Sequence, residues 1–165
     1  MFLWKYIDVD NDAVKEIQRI YRMRLPNNNH FFQSLNLPIT KFLGMEVQRF
    51  VLIQVEPNAI GRIHTDFRPN EYGDQLALQI PLDNCEDSIT EMWESEYDPP
   101  VQYTDNGQPY RFFDPGRCKK LTEFKLIQPL IFRTDVPHSA SNMGNKVRRA
   151  ISVRFKEDPW HLVNE

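Results

Sequence analysis

The sequence predicts a mainly β domain, a double-sheet jelly roll (double-stranded β-helix) with flanking helical structure. From Phe50 onward, eight short runs rich in β-branched and aromatic residues are separated by Pro, Asn, Gly and Asp turn signals. One amphipathic helix stands ahead of them, suited to cover one sheet. A length of 165 residues is enough for one domain with a buried core and no structural disulfide.

At the N-terminal end, Asp10-Asn11-Asp12 supplies short side-chain acceptors for the free N–H groups of a helix start. Val14, Ile17, Ile20 and Tyr21 then recur at helical spacing to about Arg24, where Pro26 and Asn27-Asn28-Asn29 end the element. His30 to Leu43 reads as a second short helical or irregular stretch. Residues 1–49 thus form an N-terminal helical support and 50–160 the jelly-roll core, within a single domain over 1–165.

Strands are expected at Arg49–Val55, Gly61–Asp66, Leu76–Leu82, Ile89–Trp93, Phe124–Ile127, Pro129–Arg133, His138–Ser141 and Arg148–Phe155. Eight strands with turns between them fit two packed sheets. Between them, at about 94–120, lies a stretch of Pro, Gly, Asp and aromatic residues too long for an ordinary loop. It reads as a lid or substrate-recognition insert, with domain swapping or an oligomer contact as the plainer alternative. Oligomeric state itself is not legible.

Composition argues against some classes of function. The net charge of -3 and pI near 5.8 argue against a nucleic-acid footprint, which is normally basic. Cys85 and Cys118 stand alone without a C-x-x-C, as free thiols of a reducing compartment do. The N-terminal residues lack a signal-peptide core and no later run reaches membrane-spanning length, so a soluble cytoplasmic protein is the expectation. Ser139 and Ser141 flank His138, but no G-x-S-x-G elbow accompanies them, which argues against a hydrolase.

Two of the four histidines fall into a pattern that carries chemistry. In Gly61-Arg62-Ile63-His64-Thr65-Asp66, a strand points His64 and Asp66 to the same face. The pair alone is weak: with this Asp content, chance supplies one such match roughly one time in four. Weight comes from the second half. His138 opens a late strand 72 residues after Asp66, and Arg148 follows ten residues later on the next strand. A jelly roll brings an early and a late strand together at its mouth. Two imidazoles and one carboxylate on one face of a metal leave positions open, which suits Fe(II) that must bind O2 and a co-substrate together.

The last strand offers an independent check. Alternation puts Ile151, Val153 and Phe155 on one face, suited to pack under the helix, and Arg148, Ser152 and Arg154 on the other, looking into the barrel. A cation inside a barrel is costly without an anion. A dicarboxylate co-substrate would supply one to Arg148, gripped in a fork; a local Asp or Glu is the plainer partner.

With these residues the chain resembles the Fe(II)/2-oxoglutarate-dependent oxygenases, whose H-x-D…H triad and following Arg or Lys match His64-Thr65-Asp66, His138 and Arg148. Arg148-Arg149-Ala150-Ile151-Ser152-Val153 is similar to the final core strand of prolyl hydroxylases. Leu76-Ala77-Leu78-Gln79-Ile80-Pro81 and Asp135-x-x-His138-x-x-x-Asn142 resemble the aspartyl/asparaginyl β-hydroxylase branch, as does Asp158-Pro159-Trp160. That branch commonly has Gly where Asp66 stands. The resemblance implies a cupin-like double-stranded β-helix with Fe(II) on His64, Asp66 and His138. It also implies 2-oxoglutarate with its far carboxylate on Arg148, and O2 as oxidant. Gln54, Gln75, Gln79 and Ser152 are candidates to help hold that carboxylate. The implied activity is hydroxylation of a C–H bond in a protein side chain, free amino acid or small metabolite. Two other readings stay open: a cupin-type metalloenzyme that does not use 2-oxoglutarate, and a non-catalytic jelly-roll binding module. His30 and His161 have no partner spacing and take no role.

Overall fold

A computed structural model describes residues 2–23, 32–66, 75–103, 107 and 109–164. Among them are thirteen strands: β1 Trp4–Tyr6, β2 Phe32–Leu35, β3 Lys41–Phe42, β4 Met45–Val55, β5 His64–Asp66, β6 Leu76–Asp83, β7 Ser88–Ser95, β8 Gln102–Tyr103, β9 Pro109–Phe112, β10 Cys118–Lys125, β11 Leu130–Arg133, β12 His138–Asn142 and β13 Arg148–Phe155. One α-helix, α1, covers Asn11–Met23, and single 3-10 turns occupy Pro115–Arg117 and Trp160–Leu162.

Two antiparallel sheets form. One runs β1-β11-β6-β13-β4-β2, with β3 also on β4; the other runs β10-β7-β12-β5-β9-β8. The eight strands expected from the sequence are β4 to β7 and β10 to β13, divided four to each sheet. This is a jelly roll, as the sequence predicts.

Helix α1 starts where Asp10 Oδ1 accepts the Asp12 N–H at 2.9 Å. Ile17, Ile20 and Tyr21 are its buried residues. They join Phe50, Leu52, Leu78, Ile80, Ile151, Val153 and Phe155 in the larger core, on the outer face of the first sheet. A second core fills the space between the sheets with Ala77, Met92, Phe124, Leu130, Phe132 and Ala150. The alternation read along the last strand is therefore borne out: odd positions pack under the helix and even positions face into the barrel.

Several element bounds differ from expectation. Within the described residues 32–43 the chain makes two short strands joined by an irregular stretch, not a second helix. β2 lies along β4 with Phe32 opposite Ile53, and β3 turns into β4 through Leu43 (φ 53°) and Gly44 (φ 76°). Two residues at positive φ make the tight hairpin turn whose twist matches the strands. β10 begins at Cys118, because Lys119 and Lys120 lie on the outer edge strand of its sheet, where lysine protects an exposed edge. The 94–120 stretch also holds the β8–β9 hairpin, which extends the second sheet beside β5. Arg24, Pro26, Asn27 to Asn29 and His30 lie outside the described residues. Among the described residues no helix is long and apolar enough to cross a membrane, and Cys85 and Cys118 are free.

Candidate metal centre

β5 is three residues long, and its pleat sends the His64 and Asp66 side chains to one face. It is held between two neighbours, with His138 of β12 opposite His64 on one side and Phe112 of β9 on the other. The approach to β12 depends on Gly61, where a Cβ would lie 2.2 Å from the Ala140 carbonyl oxygen. Only a residue without that carbon lets the two strands meet here. Just past the histidine, the Asp66 N–H donates to the Thr134 carbonyl at 3.0 Å.

The ligand-type atoms of His64, Asp66 and His138 all lie within 4.8 Å of one another. The two imidazole centroids are 4.5 Å apart, and His64 Nε2 is 3.7 Å from Asp66 Oδ1. Each histidine turns Nδ1 to the carbonyl oxygen two residues back, 2.8 Å to Arg62 for His64 and 2.9 Å to Val136 for His138. A carbonyl only accepts, so Nδ1 carries the proton in both rings and Nε2 keeps its lone pair. That is the tautomer a metal ligand needs.

Protonation favours the same use. Burial, and next the neighbouring His64, push the His138 pKa down to about 4, against the pull of Asp66 and the Val136 carbonyl. Burial alone would raise Asp66; the charge of Arg154, with His138 and His64, outweighs it and holds the carboxyl below its usual range. At neutral pH His138 is therefore neutral and Asp66 ionised. Two imidazoles and one carboxylate converge, a donor set suited to a divalent transition metal with open positions.

The opposite wall of the barrel is β13. Its register with β4 sets Arg148 against Val55 and Ser152 against Val51, and its register with β6 sets Ser152 against Gln79. Directly opposed residues share a face, so Arg148, Ser152 and Gln79 all look inward. Arg148 is fully buried; its Nη2 reaches Gln79 Oε1 at 3.4 Å, while Nε and Nη1 have no hydrogen-bond partner. Burial lowers its pKa, and only the Cys85 thiol beside it opposes the shift. The buried Ser152 hydroxyl also lacks a partner.

The other two candidates lie elsewhere. Gln54 opposes Arg149, on the outer face of the sheet, and accepts from Arg149 Nε at 2.8 Å. It cannot reach into the barrel, because the pleat sends it the other way. Gln75 is exposed at the start of β6, its backbone N–H donating to Asp158 Oδ2 at 3.3 Å.

One residue at the site, Arg154, had no assigned role in the sequence. Arg154 faces inward at the mouth end of β13 and donates to Asp66 Oδ2 at 2.5 Å and to Thr134 Oγ1 at 2.9 Å. A second inward cation on one strand was the available signal, since one dicarboxylate serves only one of them. Tyr110 and Phe112 oppose Asp66 and His64 across the β5–β9 ladder and form a tilted ring pair with centroids 4.4 Å apart. Arg62 stacks over Phe112 at 3.7 Å. The motif residues beyond the triad do structural work. Asn142 Nδ2 donates to the Val55 and Lys146 carbonyls at 3.0 and 2.8 Å, and its Oδ1 accepts from the Gly144 N–H at 3.0 Å. Asp135 pairs with Arg133, and Asp158 accepts the Leu76 N–H at 3.1 Å.

The sequence matches no protein-family model and no curated protein. Solved structures do resemble the fold. A prolyl-4-hydroxylase of Pseudomonas putida aligns over 95% of this chain and 94% of its own, at 13% identity and a TM-score of 0.51. What is shared is the fold. The same holds for two proteins of nogalamycin biosynthesis, both described as non-heme and alpha ketoglutarate dependent. The epimerase SnoN aligns over 94% of this chain and 79% of its own (12% identity, TM-score 0.54). The carbocyclase SnoK aligns over 93% and 79% (12% identity, TM-score 0.51).

Proposed function

We propose that the chain is an Fe(II)- and 2-oxoglutarate-dependent oxygenase that hydroxylates a C–H bond of a small molecule or a peptide side chain. One juxtaposition carries the reading. The His64, Asp66 and His138 cluster on one sheet faces, across the barrel, a buried Arg148 with two unpartnered nitrogens. The cluster alone would serve many metalloenzymes. The unpaired guanidinium narrows the choice, because a buried cation requires an anion and a forked donor fits a carboxylate. Solved proteins of the same fold whose names declare dependence on alpha ketoglutarate support the reading.

The residues fit both groups. His64 Nε2, His138 Nε2 and the Asp66 carboxylate would hold Fe(II), and Arg148, Ser152 and Gln79 would receive the far carboxylate of 2-oxoglutarate. When bound, the iron and the oxo-acid together activate O2 for C–H hydroxylation, leaving succinate and CO2. The chain's own share is geometric. The Arg62 and Val136 carbonyls fix the imidazoles in the metal-binding tautomer. Phe132 packs nearly perpendicular to His138, ring centroids 5.2 Å apart, and belongs with Met92 and Ala150 to the apolar core behind the site. Tyr110 and Phe112 stand beside the ligands on β9 and would line the substrate's approach.

The test is anaerobic addition of Fe(II) followed by 2-oxoglutarate. A weak visible charge-transfer band that needs both additions is the expected result. Iron binding without the band would instead indicate a cupin-type metalloenzyme that does not use the oxo-acid. No metal binding at all would leave a non-catalytic jelly-roll module.

A further inference from the structure

We propose that Arg154 is the positioning residue of this metal centre: its guanidinium occupies Asp66 Oδ2 and so turns the carboxylate to offer one oxygen, Oδ1, to the ion. The inference rests on the metal site proposed above and assigns a part of it that the triad and Arg148 leave open.

The two oxygens of Asp66 have different surroundings. Oδ2 lies 2.5 Å from Arg154 Nη2, whereas Oδ1 lies 3.7 Å from His64 Nε2, on the side of the other ligands. Arg154 is itself held. It is 4% exposed, and its Nη1 donates to Thr134 Oγ1 at 2.9 Å. Thr134 also accepts the Asp66 backbone N–H through its carbonyl. One residue thus fixes both the strand that carries the ligand and the guanidinium that grips it. Arg154 comes from the first sheet and Asp66 from the second, so the contact spans the barrel and ties the short β5 to its rigid opposite wall.

The orientation matters because Asp66 keeps about a third of its side-chain exposure (34%) and stands at the end of a three-residue strand. Left alone, its carboxylate could turn both oxygens to a cation and fill a position that a chelating co-substrate needs. Arg154 removes that option by holding one oxygen. Its charge also makes the place of that carboxylate a site for an anion in its own right, which supplies a test independent of turnover.

The experiment uses Co(II) as probe on the full chain, with formate as a small carboxylate. Asp66→Gly is expected to weaken Co(II) binding about 100-fold, and formate to restore at least about tenfold of it by occupying the vacated place. In Asp66→Gly/Arg154→Met formate is expected to restore nothing, with circular dichroism unchanged. Equal rescue in both variants overturns the proposal, since the metal alone would then hold the anion. Should the double variant not fold, Asp66→Gly/Arg154→Gln replaces it. The amide keeps a donor for Thr134 but no charge for the anion, so an undiminished rescue there overturns the proposal equally. The two ideas fail differently. A wild-type chain that binds no Co(II) sinks the metal site and this inference together, whereas intact binding with rescue indifferent to Arg154 sinks only the inference.

Discussion

Arg148 and Arg154 point into the same barrel from the same strand, six residues and roughly 20 Å of backbone apart. Arg154 meets a carboxylate supplied by its own chain, and Arg148 meets none among the described residues. Both are buried, so the same desolvation cost applies to each, but only one has it offset within the fold. Under the proposed function the paired arginine orients a metal ligand and the unpaired one receives the co-substrate's carboxylate. An inward cation therefore has to be interpreted by what faces it, not by its position on the strand.

Truncating each arginine, with stability and binding followed separately, distinguishes the two. Arg148→Met is expected to weaken 2-oxoglutarate by about 100-fold or more, the loss of a charged, forked contact of about 3 kcal/mol. The same change is expected to raise the stability of the ligand-free protein by about 1–3 kcal/mol, because an unpaired buried charge disappears. Arg154→Met has the opposite sign. It strands Asp66 and should cost about 1–3 kcal/mol, toward the low end because that carboxylate is partly exposed. Urea melts of the metal-free proteins and isothermal titration of Fe(II)-loaded protein with 2-oxoglutarate, without O2, check both arms. A destabilised Arg148→Met would show that the guanidinium already has a partner in solution.

Acid should act on the paired end. His138 is buried and its pKa is held near 4, below the ordinary 6.5. The unfolded chain therefore takes up a proton first, and stability present above pH 6.5 is lost as pH falls toward 4. The shift corresponds to about 3 kcal/mol in the chelator-treated protein. Asp66, also held low, adds to the loss only further into acid. Urea melts across that window measure it, and His138→Gln should flatten the profile. A profile flat in the wild type would mean that His138 is solvated.

Much of this arrangement is legible in the sequence. The eight core strands followed from β-branched runs between turn signals, and the two faces of β13 from strict alternation of Arg, Ala, Ser and Arg against Ile, Val and Phe. The triad followed from two short motifs. What escaped was pairing. Phe50-Val51-Leu52-Ile53 is apolar on both faces, so the sequence could not say which way Gln54 points; the register with Arg149 decides it. β2 and β3 are strands because β4 offers them an edge, a tertiary cause that local propensity does not contain. Arg154 was readable as inward, but its partner lies 88 residues away in the other sheet.

A smaller effect should come from the turn that sets where β13 begins. The buried Asn142 side chain joins the Val55 and Lys146 carbonyls and the Gly144 N–H, fixing the ten-residue interval between His138 and Arg148. Asn142→Ala leaves those groups without their partner and is expected to cost about 2 kcal/mol. Because Arg148 starts the strand that this turn releases, 2-oxoglutarate should weaken while Co(II) affinity, set at the other end of β12, holds. Equal losses in both would mean that the two ends of the barrel are one mechanical unit.

The finest probe is Ser152, whose hydroxyl is buried and unpartnered beside Gln79. Like Arg148, it carries a desolvation cost with no return in the ligand-free fold, but for a neutral group the cost is smaller. Ser152→Ala should therefore raise ligand-free stability by about 1 kcal/mol and weaken 2-oxoglutarate about tenfold, the value of one hydrogen bond to a charged oxygen. The matched signs at Arg148 and Ser152, against the reversed sign at Arg154, would mark the two inward residues as a single anion pocket. If Ser152→Ala changed stability alone and left 2-oxoglutarate binding untouched, the carboxylate would have to rest on Arg148 and Gln79 without it.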